Sequence, residues 1–152
     1  MNKIVAIYPG SFNKAHLGHK NILDKAIDIF GAENVLMAVG VNPAKEVDLT
    51  TINERINYIR SKVNCEVIYF RCFLHELIQE KEQDGYKVII IKGLRNGEDL
   101  AYEDNQIKFI KDFKKDVRVI FLRCDPEFDH LSSSALRQLD AYRSGSGNKY
   151  LL

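Results

Sequence analysis

What most constrains this chain is an alternation: short β-branched, apolar runs are separated by longer stretches whose apolar residues recur at helical spacing. Strands are predicted at Ile4–Tyr8, Asn34–Val41, Glu66–Phe70, Lys87–Ile91 and Arg118–Arg123. Each is a compact apolar run suited to a sheet covered on both faces. Helices are predicted over about Gly18–Phe30, Thr51–Val63, Leu74–Gln83, Leu100–Phe113 and Ser133–Tyr142. In the first, Ile22, Leu23, Ala26, Ile27 and Phe30 share one face. Strands joined through helices need crossover connections, so the pattern implies an α/β fold: a doubly wound, five-stranded parallel sheet.

The 152 residues, 45% of them apolar, suit one domain over 1–152, with 143–152 a flexible or atypical tail. That tail has linker composition at Ser144-Gly145-Ser146-Gly147-Asn148 and then a few apolar residues that either dangle or dock. With 22 Lys+Arg against 21 Asp+Glu the chain lacks the basic excess of a nucleic-acid binder. No apolar run approaches the roughly 20 residues that cross a bilayer, so no membrane association is expected. The start, Met1-Asn2-Lys3 before Ile4–Ile7 and Pro9-Gly10, reads as a strand and not a signal peptide, and the expected location is the cytoplasm. Cys65, Cys72 and Cys124, odd in number and widely spaced, are expected to be buried reduced thiols.

In an open parallel sheet, ligands bind beyond the carboxyl ends of the strands, and three clusters fall there. After the first strand come Ser11, Phe12, His16, Gly18 and His19, at the start of a helix whose free N–H groups favour phosphate. His16 and His19 either face a phosphate chain together or cap the helix. After the fourth strand, Lys92-Gly93-Leu94-Arg95 sets two cations around a glycine, a pattern suited to an anion. Asp99 and Glu103 follow on one helix face, where they orient Arg95, hold a ribose or base, or form an ordinary solvated face with an ion pair. After the fifth strand, Phe128-Asp129-His130-Leu131-Ser132-Ser133-Ser134 leads into a helix carrying Arg137, a second candidate phosphate terminus. Lys45 follows the second strand at the same edge. The charges thus divide: Lys45, Lys92, Arg95, His16, His19 and Arg137 gather at one edge, while Asp24, Asp28, Glu80 and Glu82 sit on helices elsewhere.

Together these segments resemble the nucleotidyltransferase superfamily that carries His-x-Gly-His near its N-terminus and a serine-rich helix start near its C-terminus. The match is narrowest to the phosphopantetheine adenylyltransferases, through Tyr8–Phe12, Gly18-His19, Lys45, Thr51-x-x-Glu54-Arg55, Lys92–Arg95 with Asp99 and Tyr102-Glu103, and Leu131–Ser134. The resemblance spans about residues 3–143. It implies a Rossmann-like nucleotidyltransferase fold and transfer of AMP from ATP to 4′-phosphopantetheine, giving dephospho-coenzyme A and pyrophosphate with Mg²⁺ and no protein nucleophile. On that resemblance His19, Lys45 and Arg95 are catalytic. ATP falls to Ser11, Phe12, His16, His19, Gly93, Leu94, Arg95, Asp99, Glu103 and Phe128 through Ser134. The acceptor falls to Ser11, Lys45, Leu74 and Lys92, and a homo-oligomer, a hexamer in the family, is expected.

The chain departs from the pattern at Asn13-Lys14, where the family has Asp-Pro, and at Lys92, which replaces an arginine. A lysine gives a phosphate a point charge where arginine gives a fork, so another acceptor, such as nicotinamide mononucleotide, is the nearest alternative. A nucleotide-binding module without catalysis is the second. The family's last helix is expected to be missing or replaced by the Ser-Gly tail.

Overall fold

The computed structural model describes residues 3–45 and 48–152. The elements run β1 (Lys3–Gly10), α1 (Leu17–Phe30), β2 (Val35–Gly40), α2 (Leu49–Arg60), β3 (Glu66–Phe70), α3 (Leu74–Gln83), β4 (Tyr86–Leu94), α4 (Gly97–Phe113), β5 (Arg118–Arg123) and α5 (Ser133–Tyr142). The strands form one parallel sheet in the order β3-β2-β1-β4-β5. Strand side chains alternate between two core layers. Ala6, Tyr8, Val35, Met37, Val39 and Ile91 meet Leu23 and Ala26 of α1 and Ile52, Ile56 and Ile59 of α2. Val5, Ile7, Leu36, Ala38, Val88 and Ile90 meet Leu77 and Ile78 of α3 on the other face. Helices therefore cover both sides, as the alternation of runs predicts. Among the described residues no helix is long and apolar enough to cross a membrane.

The order places the reversal of winding between β1 and β4. Their pairing ends at Ile7↔Ile90, after which β1 follows β2 to Gly10 and β4 follows β5 to Leu94. The strands part there and open a crevice at their carboxyl ends, the place where such sheets bind ligands. Pro9, lacking an N–H, stands beyond the last β1–β4 pair.

Several boundaries differ from the sequence expectation. β4 continues to Leu94, because Lys92, Gly93 and Leu94 pair with Phe121, Leu122 and Arg123, so those residues are strand and not loop. α4 starts at Gly97, where the Asn96 side chain accepts the Asp99 N–H at 3.0 Å. α2 starts at Leu49 behind an Asp48 cap and ends at Arg60, whose guanidinium holds the Val67 carbonyl at 3.1 and 2.8 Å; Val63 lies past the helix. Cys72 corrects the expectation of buried thiols: it lies beyond β3 in the bend before α3 and is exposed, while Cys124 is buried and Cys65 half-buried.

Candidate active site

The crevice between β1 and β4 holds a cavity of about 350 Å³, large enough for a sizeable part of a nucleotide. Its first wall begins at Gly10. The chain turns through Phe12, whose φ of 47° is left-handed, a conformation that costs a bulky residue about 1–3 kcal/mol. The turn folds the Phe12 ring back over Gly10, where an added Cβ would stand 2.9 Å from the ring. Phe12 is buried, edge-on to Tyr8 at 5.2 Å and to His19 at 5.0 Å. It supports His19 from beneath.

The two histidines do cap the helix, and the cap sets their chemistry. His16 Nδ1 accepts the Gly18 N–H at 3.1 Å, and His19 Nδ1 accepts the His16 N–H at 3.2 Å. The rings stack at 3.7 Å. An imidazole that accepts through Nδ1 carries its proton on Nε2. Burial, with Arg95 nearby, lowers His16 to about 4, and burial followed by the His16 neighbour lowers His19 to about 3. Both are neutral near pH 7. This corrects their expected place among the cations, because a proton on Nδ1 would break the cap. His19 lines the cavity with Nε2–H as its remaining donor.

The second wall comes from β4 and α4. Gly93 lets the strand pass α1, since a Cβ there would stand 2.8 Å from Ile22. Arg95 is held by Asp99: Nε and Nη2 donate at 2.8 and 2.9 Å, and the Arg95 backbone N–H donates at 2.9 Å. Asp99 therefore orients Arg95, one of the roles its spacing allows, and hydrogen bonding to Arg95 holds its carboxyl low. Lys92 Nζ lies 3.2 Å from Glu103 Oε2, but out of line for a hydrogen bond, so that shielded oxygen has no donor. Glu103 is thus poised to accept from a ligand. Lys92 and Arg95 are balanced by Asp99 and Glu103, so the lining is formally neutral.

The third wall is α5 and the loop before it. Ser132 caps α5 by accepting the Ala135 N–H at 3.0 Å, Ser133 Oγ donates to the Lys14 carbonyl at 3.4 Å, and both line the cavity with Phe128 and Leu131. The N-termini of α1 and α5, each with one N–H capped by a side chain, face the same space, an arrangement suited to a polyphosphate.

Ser11, Phe12, His16, His19, Lys92, Gly93, Leu94, Arg95, Asp99, Glu103, Phe128 and Leu131–Ser133 are thus brought together as expected. Lys45, Leu74, Asp129, His130 and Ser134 are not among the lining residues. Lys45 is exposed at the turn Pro43–Lys45, adjoining undescribed residues 46 and 47. Leu74 is half-buried against the α3 layer. Asp129 is exposed, His130 meets the Tyr150 ring edge-on, and Ser134 accepts from Arg137 at 3.2 Å on the outer side of α5.

Other contributors escape sequence reading. Cys124 lines the cavity just past β5, where position after a strand was the available signal. Arg55 of α2, which the sequence does single out through Thr51-x-x-Glu54-Arg55, donates to the Ser11 carbonyl at 3.4 Å. Asn21 and Asp125 form a reciprocal pair, the Asn21 amide donating to the carboxylate at 2.9 Å and accepting the Asp125 N–H at 2.8 Å. Lys25 adds an ion pair to Asp125 at 2.8 Å. This lashes α1, which carries His19, to the loop that carries Phe128. Residues so far apart in the chain give no local signal.

A cytidylyltransferase-like family model matches residues 7–139. A phosphopantetheine adenylyltransferase of Mycoplasma capricolum is 35% identical over 140 residues, 91% of this chain and 98% of the relative. One of Clostridium perfringens is 31% identical over 142 residues, 91% of this chain and 82% of the relative. Another, of Caldanaerobacter subterraneus, is 35% identical over 139 residues, 89% and 82% of the respective chains. With its winding reversal, its two helix N-termini at one crevice and these likenesses, the chain belongs to the cytidylyltransferase-like family, among the phosphopantetheine adenylyltransferases.

Proposed function

We propose that this protein transfers AMP from ATP to 4′-phosphopantetheine, forming dephospho-coenzyme A and pyrophosphate. An oxygen of the acceptor phosphate forms the new bond to the α-phosphorus, and the bond to the bridging oxygen of the β-phosphate breaks. Pyrophosphate leaves with that electron pair. A phosphomonoester is largely dianionic near pH 7, so attack needs no protein base. The observation that carries this reading is the neutral His19, fixed by the His16 cap with Nε2–H as its free donor. A group whose pKa lies near 3 is a poor base but a good hydrogen-bond donor to charge developing at the α-phosphoryl group. Arg95, held by Asp99, and the N-terminus of α5 suit the β- and γ-phosphates, while Lys92 suits the acceptor phosphate.

Among the described residues no group of three or more His, Cys, Asp or Glu side chains is arranged to hold a metal ion. The carboxylates lining the cavity are paired with Arg95 and Lys92. We therefore assign Mg²⁺ to the nucleotide, entering as its phosphate complex. We place the protein in the cytoplasm as a homo-oligomer, a hexamer by the resemblance. The exposed Leu100, Phe109 and Phe113 of α4 offer apolar surface for a second copy, while Tyr102 lines the cavity.

Pyrophosphate release, measured with ATP and 4′-phosphopantetheine beside nicotinamide mononucleotide and CTP pairings, tests this reading. Turnover with ATP and 4′-phosphopantetheine is expected. Turnover with only another pair overturns the substrates and favours the alternative acceptor that the Lys92–Glu103 pair leaves in view.

A further inference from the structure

We propose that residues 144–152 form a clasp that positions two walls of the site. Tyr150 acts on the loop after β5, and Leu151 and Leu152 act on His16 and through it on His19. The inference rests on the adenylyltransferase reading and goes beyond it, since none of residues 144–152 lines the cavity.

The segment has the composition of a linker, yet it is tied along its length. Ser146 Oγ donates to the Leu139 carbonyl at 2.7 Å, and the Gly147 N–H donates to Asp140 Oδ1 at 3.1 Å. The other oxygen of Asp140 takes Lys14 Nζ at 3.3 Å, which ties the same point to the loop before α1. Gly145, at φ 83°, supplies the left-handed reversal that turns the chain back after α5. After the 3₁₀ turn Asn148–Tyr150, the Tyr150 ring meets His130 edge-on at 5.9 Å. His130 adjoins Leu131 and Ser132, both lining residues.

Leu151 then bridges His16 in antiparallel fashion, and the Leu152 N–H donates to the Ala15 carbonyl at 3.2 Å. The Tyr58 hydroxyl of α2 donates to the Leu152 backbone oxygen, and the Leu152 side chain packs on the α1–α2 core layer. His16 is thus gripped from both sides. Its N–H and ring build the cap that orients His19, while it stands opposite Leu151 and its neighbour Ala15 accepts the tail's N–H. Losing the pairing should loosen the histidine cap, and losing the Tyr150 contact should loosen the loop carrying Phe128 and Ser132.

Four variants separate positioning from mere support. Tyr150→Ala is expected to raise the KM for ATP roughly three- to tenfold with kcat little changed, as loss of one aromatic edge contact implies. Tyr150→Phe keeps the ring and should match wild type. Leu152→Pro deletes the N–H given to Ala15 and should lower kcat roughly three- to tenfold. Leu152→Ala keeps that N–H and should hold kcat while lowering the melting temperature. Hydrogen exchange over residues 12–18 and 126–132 provides a readout independent of acceptor. It should quicken in the second segment for Tyr150→Ala and in the first for Leu152→Pro. Wild-type KM and kcat in both variants would overturn the clasp. Should wild type turn over no 4′-phosphopantetheine, the substrate reading fails, and exchange together with ATP affinity decides the clasp: unchanged values overturn it.

Discussion

The His19 ring is committed at Nδ1 to the His16 N–H, which leaves Nε2–H for the ligand. On the proposed function, capping and transition-state contact fall to the two ends of one side chain. His19→Ala should lower kcat about 100-fold or more while ATP binding, measured by calorimetry, weakens much less. Equal losses in both would mean that the ring serves ground-state binding. At Lys92 the departure from arginine sits in β4, beside a Glu103 oxygen that it neutralises without hydrogen-bonding. Lys92→Arg should change mainly the KM for acceptor and leave that for ATP nearly constant. A change confined to ATP would move this residue to the other half of the site. Residues of this kind were legible because their positions after or at strand ends and their charges suffice to suggest a phosphate site. The neutrality of the histidines was not, since it depends on burial and on a ring-to-backbone cap that spacing alone leaves undecided.

Between elements, the contacts that fix the walls join parts of the chain that no local pattern connects. The Asn21–Asp125 pair is the clearest case, holding α1 against the loop after β5. Asn21→Asp sets a second carboxylate against Asp125 and should raise the KM for ATP several-fold. Adding Asp125→Asn restores one amide facing one carboxylate and should recover most of the loss, a coupling that a double-mutant cycle reads directly. The strands and helices themselves were legible, because apolar periodicity decides them: β3, β5, α3 and α5 lie where the pattern puts them. The ends of β4 and α4 were not, because pairing with β5 extends the first and the Asn96 cap starts the second earlier. Both shifts matter to the site, since they place Lys92 and Gly93 in a strand and Asp99 in a first helical turn, in reach of Arg95.

For the molecule as a whole, the burial that keeps the histidines neutral makes stability depend on pH. Their folded values, about 4 and about 3, lie below the ordinary 6.5, so between these limits the unfolded chain binds more protons than the folded one. Stability therefore falls as pH drops below 6.5 and goes on falling towards those folded values. Asp99, held low chiefly by Arg95, and Asp125, held low by Lys25 and then Asn21, add losses in the same direction at lower pH. The melting temperature should be lower at pH 5 than at pH 7, and His16→Ala should flatten that slope. A slope unchanged in the variant would mean that His16 does not carry the effect. The near balance of 22 cations and 21 anions over the chain recurs in miniature in the cavity, where Lys92 and Arg95 face Asp99 and Glu103. Such a site gains net negative charge only when the nucleotide enters, which fits substrate-borne Mg²⁺. The central claim is direct transfer of AMP between ATP and 4′-phosphopantetheine, and its most direct test is exchange of labelled pyrophosphate into ATP. Label should enter ATP when dephospho-coenzyme A is present and not with ATP and pyrophosphate alone. Exchange without dephospho-coenzyme A, or none with it, would contradict the account.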